Sequence, residues 1–141
     1  MIDEGLYQLL CSSISIAALI GTQSSRQDGT SGIFGGQAPP SPILPIVIVE
    51  QIAGAPVMSM DGPDLARTAR FQFTGRSKSR LGAKQLQRAI RKVLENFTGL
   101  LAEGTEIQHM HTVLEADSFE YAPYDYGAPL DVEITYVDSG S

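Results

Sequence analysis

Apolar positions along the chain follow two periods, one helical and one alternating, separated by stretches rich in Gly, Pro and Ser. From Asp3 onward, Leu6, Leu9, Leu10, Ala17 and Ile20 recur at steps of three and four residues, which predicts one helix ending at Gly21. Ser, Gly, Gln and Pro dominate Thr22 to Pro45, with Gly35-Gly36 and Pro39-Pro40 inside, so neither helix nor strand should propagate there. A long flexible loop over about 22–45 is expected, a segment that orders only against a partner. Pro45 to Ile52 is short, β-branched and bounded by breakers, the pattern of a mostly buried strand.

After a turn from Gly54 to Gly62, Ala66 to Gly75 alternates Phe71 and Phe73 with Arg70, Gln72 and Thr74, a strand with one wet face. Ser77 or Ser79 can cap the next helix, whose apolar stripe is Ala83, Leu86, Ala89, Ile90, Val93, Leu94 and Phe97, with Gly99 as the stop. A third strand is predicted from about Glu106 to Glu115, with room to continue towards Tyr121. A tyrosine-rich connection then leads to Pro129. Leu130 to Val137 alternates Val132, Ile134 and Tyr136 with Asp131, Glu133 and Thr135, a last amphipathic strand before a disordered tail over about 138–141. These elements predict an α+β fold: a mostly antiparallel four-stranded sheet with helices packed on one face, in the order α-β-β-α-β-β, a two-layer sandwich.

Size and composition fit that picture, since 141 residues with 43% hydrophobic and 18% charged residues suit a single folded domain over 1–141. The apolar run Ile14 to Ile20 is too short to span a bilayer and follows Asp3 and Glu4 with no basic region, so neither a signal peptide nor a membrane partner is expected.

Charge changes the picture more. Ten Lys and Arg against sixteen Asp and Glu leave a formal charge of −6, which disfavours a protein that coats duplexes by neutralising phosphates. Nine of the ten bases lie between Arg67 and Lys92, a stretch without an acid, whereas ten acids and no base follow from Val93 onward. If the two segments fold to different faces, the molecule has a basic flank (Arg76, Lys78, Arg80, Lys84, Arg88, Arg91, Lys92) and an acidic one (Asp117, Glu120, Asp125, Asp131, Glu133). Complementary flanks favour head-to-tail association, which closes into a ring when the rotation allows. Two solvated faces without partners are the plain alternative. A nucleic-acid patch on the basic segment is a third, opposed by the absence of Trp, of an RNA-recognition aromatic signature and of a zinc module.

His109 and His111 are two apart on a predicted strand, so both imidazoles should share a face, as metal ligands on a sheet can. Strict alternation would put Glu115 on that face and Glu106 on the other, and a hydrogen-bonded histidine pair is the competing account. The single cysteine, Cys11, excludes an intrachain disulfide and reads as a small packed helix residue rather than a nucleophile. There is no Gly-x-Ser-x-Gly elbow and no Walker loop, and the Gly32–Gly36 run is a hinge rather than a phosphate cradle. Tyr121, Tyr124 and Tyr126 around Pro123 could anchor a protein interface or simply fold their loop onto the sheet.

Several segments together resemble a family. A helix Ile2-Asp-Glu-Gly-Leu-Tyr-Gln-Leu-Leu10 leads through Ile16-Ala-Ala-Leu-Ile-Gly21 to Gln37-Ala-Pro-Pro40 and Leu44-Pro-Ile-Val-Ile-Val49, followed by Ala69-Arg-Phe-Gln-Phe-Thr74, an Ala/Leu-rich helix and Leu130-Asp-Val-Glu-Ile-Thr-Tyr136. Over nearly the whole chain this resembles the tail-completion, or tail-terminator, family of long-tailed phages and phage-derived particles, with the loop expanded here by Thr22 to Ile43. The resemblance implies a structural virion subunit without enzymatic activity or cofactor. It would be assembled in the host cytoplasm into a homo-hexameric ring at the head-proximal end of the tail. Its implied partners are the tail tube protein, the head–tail connector or stopper protein, and DNA that passes through the lumen without specific binding. The competing readings are another connector ring, such as a stopper or adaptor, and a small α+β ligand-binding domain or enzyme using His109 and His111.

Overall fold

The computed structural model describes residues 2–21, 26, 32–36, 43–56, 66–95, 97–101 and 105–137. Most of the predicted 22–45 loop and the predicted 138–141 tail lie outside them. In chain order the elements are α1 (Ile2–Cys11), α2 (Ile14–Ile20), β1 (Ile33–Gly35), β2 (Ile46–Pro56), β3 (Ala66–Ser77), α3 (Arg80–Glu95), β4 (Gly99–Leu100), β5 (Glu106–Glu115), β6 (Phe119–Ala122) and β7 (Asp125–Val137).

The predicted N-terminal helix is two helices. Ser13 takes an extended backbone (ψ 123°) and its hydroxyl accepts from the Ile16 amide at 3.3 Å, so it caps α2 afresh and ends the run of α1. The break resets the apolar phase: Leu6 and Leu10 are buried from α1, Ile16 and Ile20 from α2, while the predicted Ala17 is only half-buried. Further along, Ser79 rather than Ser77 caps α3, its hydroxyl accepting from the Gly82 amide at 3.0 Å.

The four-stranded sheet of the sequence reading is corrected to a curled, mixed sheet of seven strands, a half-barrel with three helices in the order α-α-β-β-β-α-β-β-β-β. Strand order is β1-β2-β3-β7-β5-β4, with β6 also paired to β7. The β1–β2 pair is parallel and every other pairing is antiparallel. Three strands escaped prediction for local reasons. β1 is three residues set between Gly32 and Gly36, both at positive φ, and β4 is two residues opened by Gly99 at φ 111°, so neither shows a period. The tyrosine-rich connection is itself a hairpin of β6 and the first half of β7, turned at Tyr124 with φ 62°.

Alternation along β3 and β7 builds the core. Ala69, Phe71 and Phe73 of β3 stand opposite Ile134, Val132 and Leu130 of β7, and all six are buried on the inner face. They form one cluster with Leu6, Leu10, Ile16 and Ile20 and with Leu86, Ile90 and Leu94 of α3. Gly75 lets α3 seat this closely, because an added Cβ would stand 2.6 Å from Leu86 Cβ. Gln87, fully buried on the same helix, donates from Nε2 to the carbonyls of Ala116 (2.8 Å) and Pro129 (2.6 Å), which ties α3 to the sheet.

Arg26 supplies a second tie. Its guanidinium donates to the carbonyls of Ile20 (2.9 Å), Pro45 (2.7 Å) and Ile43 (2.6 Å), joining the end of α2 to the entrance of β2. Among the described residues no helix is long and apolar enough to cross a membrane.

Candidate functional site

The candidate residues occupy three places: the exposed side of α3 with its flanks, the outer face of the sheet, and the β6–β7 hairpin. Ion pairs join the basic segment to the acidic one at several points. Arg76 at the end of β3 makes a bidentate pair with Asp125 at the start of β7, with Nε to Oδ1 at 3.1 Å, and both side chains are about 15% exposed (15% and 16%). Lys84 reaches Asp117 at 3.6 Å, Arg91 reaches Glu115 at 2.8 Å and Glu95 at 3.8 Å, and Arg70 reaches Glu133 at 4.0 Å. Five pairs therefore join one segment to the other: Arg91–Glu95 lies within α3, and the other four link separate elements, because α3 packs across β3, β7 and β5 and β3 is the ladder neighbour of β7. Of those four, the more exposed Arg91–Glu115 and Arg70–Glu133 contribute about 0.2–1 kcal/mol each. Together the pairs join four of the nine bases of that segment to acids from the following one. Of the seven basic candidates, Lys78, Arg80, Arg88 and Lys92 make no ion pair among the described residues and are exposed.

Arg80 opens α3 with its guanidinium 5.9 Å from the centroid of the Tyr126 ring. Tyr126 stands opposite Glu120 across the β6–β7 ladder, and the carboxylate hydrogen-bonded to its hydroxyl raises the phenol above its ordinary pKa, with the Glu120 charge adding to the effect. Replacing Glu120 with Gln should bring the Tyr126 hydroxyl back towards the ordinary tyrosine range, read by NMR titration of labelled tyrosines; an unchanged Tyr126 titration would show that the pair does not form. The Asp117 carboxyl is held below its ordinary value by the Ser118 amide, which donates to it at 2.8 Å, and then by Lys84. Tyr124 is 78% exposed at the hairpin tip, and the Tyr121 side chain lies outside the described residues.

The outer face of the sheet is polar in its middle rows. Thr68 pairs with Thr135 through their hydroxyls at 3.3 Å, Gln72 donates to Asp131 at 3.1 Å, and Glu133 lies between Arg70 and His111, whose Nε2 is 3.9 Å away. His109 and His111 do share this face, with ring centroids 5.1 Å apart. The acids near them are the reverse of the prediction. Register shifts between Ile107 and His109 and between Thr112 and Leu114 each advance the phase of β5, so Glu106 lies on the histidine face and Glu115 on the inner side beside Arg91. No group of three possible metal ligands occurs among the described residues. Cys11 is exposed on α1 rather than packed, because Leu6 and Leu10 define the inward stripe and Cys11 falls one residue past it.

Two clefts lie beside α1. One, of about 410 Å³, opens between Tyr7, Gly36, Glu50, Gln51 and Phe71 where β1 ends against β2. The other, of about 490 Å³, lies between Gln8, Leu9, Phe97, Leu100 and Leu101. Sequence reasoning found neither, since each is made by elements distant in the chain.

No protein-family profile matches this chain, and no curated protein matches it. Among solved structures, its fold is that of a chain described as "Virion of native gene transfer agent (GTA) particle", with a TM-score of 0.66 and 16% identity over 94% of this chain and 92% of that one.

Proposed function

We propose that this chain is a structural subunit of a phage-type virion, and within that class the ring-forming terminator that caps the head-proximal end of a tail tube. The supporting observation is the fold shared over almost the full length of both chains with a component of a gene transfer agent particle. The resemblance of the sequence to tail terminators narrows the reading. In this role the protein catalyses nothing and holds no cofactor, and it acts only by the surfaces it presents to other subunits. One ring face is complementary to the last tube ring, and the other lacks the surface that would recruit a further tube subunit, so growth stops by omission. Its neighbours are copies of itself, the tail tube protein and a head–tail connector, and it resides in the virion after assembly in the host cytoplasm. The net charge of −6 suits a lumen through which DNA slides without adhering.

Electron microscopy of particles assembled without this gene tests the proposal. Overlong or unjoined tails are expected. Tails of normal length that fail to join heads would make the protein a connector ring instead, and normal particles would overturn a virion role.

A further inference from the structure

The four long strands of the sheet, β2, β3, β7 and β5, alternate in direction, since each adjacent pair is antiparallel. The outermost two are only partly covered among the described residues. β1 covers β2 at Val47–Val49 and leaves residues 50–56 with an open edge; β4 covers β5 at Glu106–Ile107 and leaves 108–115 open. Following the register across the sheet shows that the two open stretches lie at the same height. Glu50 is in the row of Gln72, Asp131 and Leu114; Ala53 is in the row of Arg70, Glu133 and His111; Ala55 is in the row of Thr68, Thr135 and His109.

We infer that these two open edges are the docking surfaces for a second copy of the chain, the 50–56 edge of β2 in one copy pairing with the 108–115 edge of β5 in the next. Four features carry this. A copy rotated about an axis along the strands presents its β2 running opposite to the first copy's β5, so the junction is an antiparallel ladder and continues the alternation. Because the windows share their rows, they meet without axial displacement, which is the condition for a closed ring rather than a helix. Ile52, Val113 and Leu114, exposed at 42%, 39% and 54%, are large apolar side chains left at these edges, and 108–115 contains none of the lysines or prolines that normally protect an open edge. The joined sheet also keeps its faces, which sets the exposed carboxylate of Glu50 on the same side as the exposed imidazoles of His109 and His111 of the neighbour, an acceptor beside donors. The cleft between Tyr7, Gly36 and Gln51 lies at the β2 edge, beyond the end of β1, with room for a side chain of the incoming strand.

The inference rests on the ring reading for its biological setting and names the surface that would make the ring. Analytical ultracentrifugation in reducing buffer, with Cys11 exposed, tests it on the full chain. The wild type should associate, and Ile52→Lys and Leu114→Lys should each reduce it to monomer. An equimolar mixture of the two variants should form a heterodimer and stop, because each retains the edge that the other has lost. Hydrogen exchange on the wild-type assembly should show slowed amides in both 50–56 and 108–115. A wild type that stays monomeric at its highest soluble concentration, a variant that keeps the wild-type mass, or an assembly whose two windows exchange freely would overturn the inference. Edge pairing together with normal tails in the deletion would keep this surface and remove the terminator role; overlong tails with freely exchanging edges would do the reverse.

Discussion

Truncating Phe73 to alanine should remove about 3–5 kcal/mol of folding stability, most of what a domain of this size possesses. Phe73 is 0% exposed on the central strand β3, between Val49 of β2 and Leu130 of β7, and belongs to the cluster that α3 closes with Leu86, Ile90 and Leu94. The cost has two parts, the lost transfer of the ring from water and the void it leaves, and β3 cannot collapse into that void because it is laddered on both sides. Denaturant unfolding followed by circular dichroism measures it. Leu114→Ala, at an exposed edge position, should change stability by no more than about 0.5 kcal/mol in the unassembled chain. A loss below about 1 kcal/mol for Phe73→Ala would mean that the inner face is not the core described here.

Breaking the Arg76–Asp125 pair should be nearly as damaging. Arg76→Met leaves the Asp125 carboxylate sheltered without its bidentate partner at the junction of β3, β7 and the start of α3, a loss of about 3 kcal/mol, the lower end for buried pairs because both side chains keep some exposure. The double variant Arg76→Met with Asp125→Leu should recover most of that loss, since both charges are then gone and the remaining groups are apolar. A double-mutant cycle by denaturant unfolding gives the coupling directly, and a coupling below about 0.5 kcal/mol would show that the two groups do not act together. The same variants test whether Arg76 and Asp125 serve an interface. Residues held by each other have little left to offer a partner.

What was legible in the sequence followed from short-range periods. The alternation of Phe71 and Phe73 with Arg70 and Gln72, and the spacing of Ala83, Leu86, Ile90 and Leu94, located β3 and α3 because burial on one face imposes those periods. Features that depend on a single residue were harder to read. Ser13 divides the first helix by offering its hydroxyl to the Ile16 amide, a choice that periodicity over twenty residues does not register. β1 exists only because β2 is there to receive it, since three residues between two glycines carry no pattern of their own.

The candidate site shows the same division. That His109 and His111 share a face was readable from a separation of two, yet two bulges in β5 reversed the placement of Glu106 and Glu115, because a bulge arises from pairing with β7 and not from β5 itself. Charge segregation was real along the chain and is partly offset in space: α3 packs across β3, β7 and β5 and β3 lies beside β7, which brings Lys84, Arg91 and Arg76 to Asp117, Glu115 and Asp125. The sequence by itself determined most of the buried apolar positions of the long elements and how much charge each segment carries, because an amphipathic period and a composition are written in short stretches of chain, although Thr74 and Asp131, read as wet, are buried. Only the tertiary structure decided which charges meet, which acids share a face with the histidines and which strand edges stay open among the described residues, because each of those is set by pairing between segments far apart in sequence.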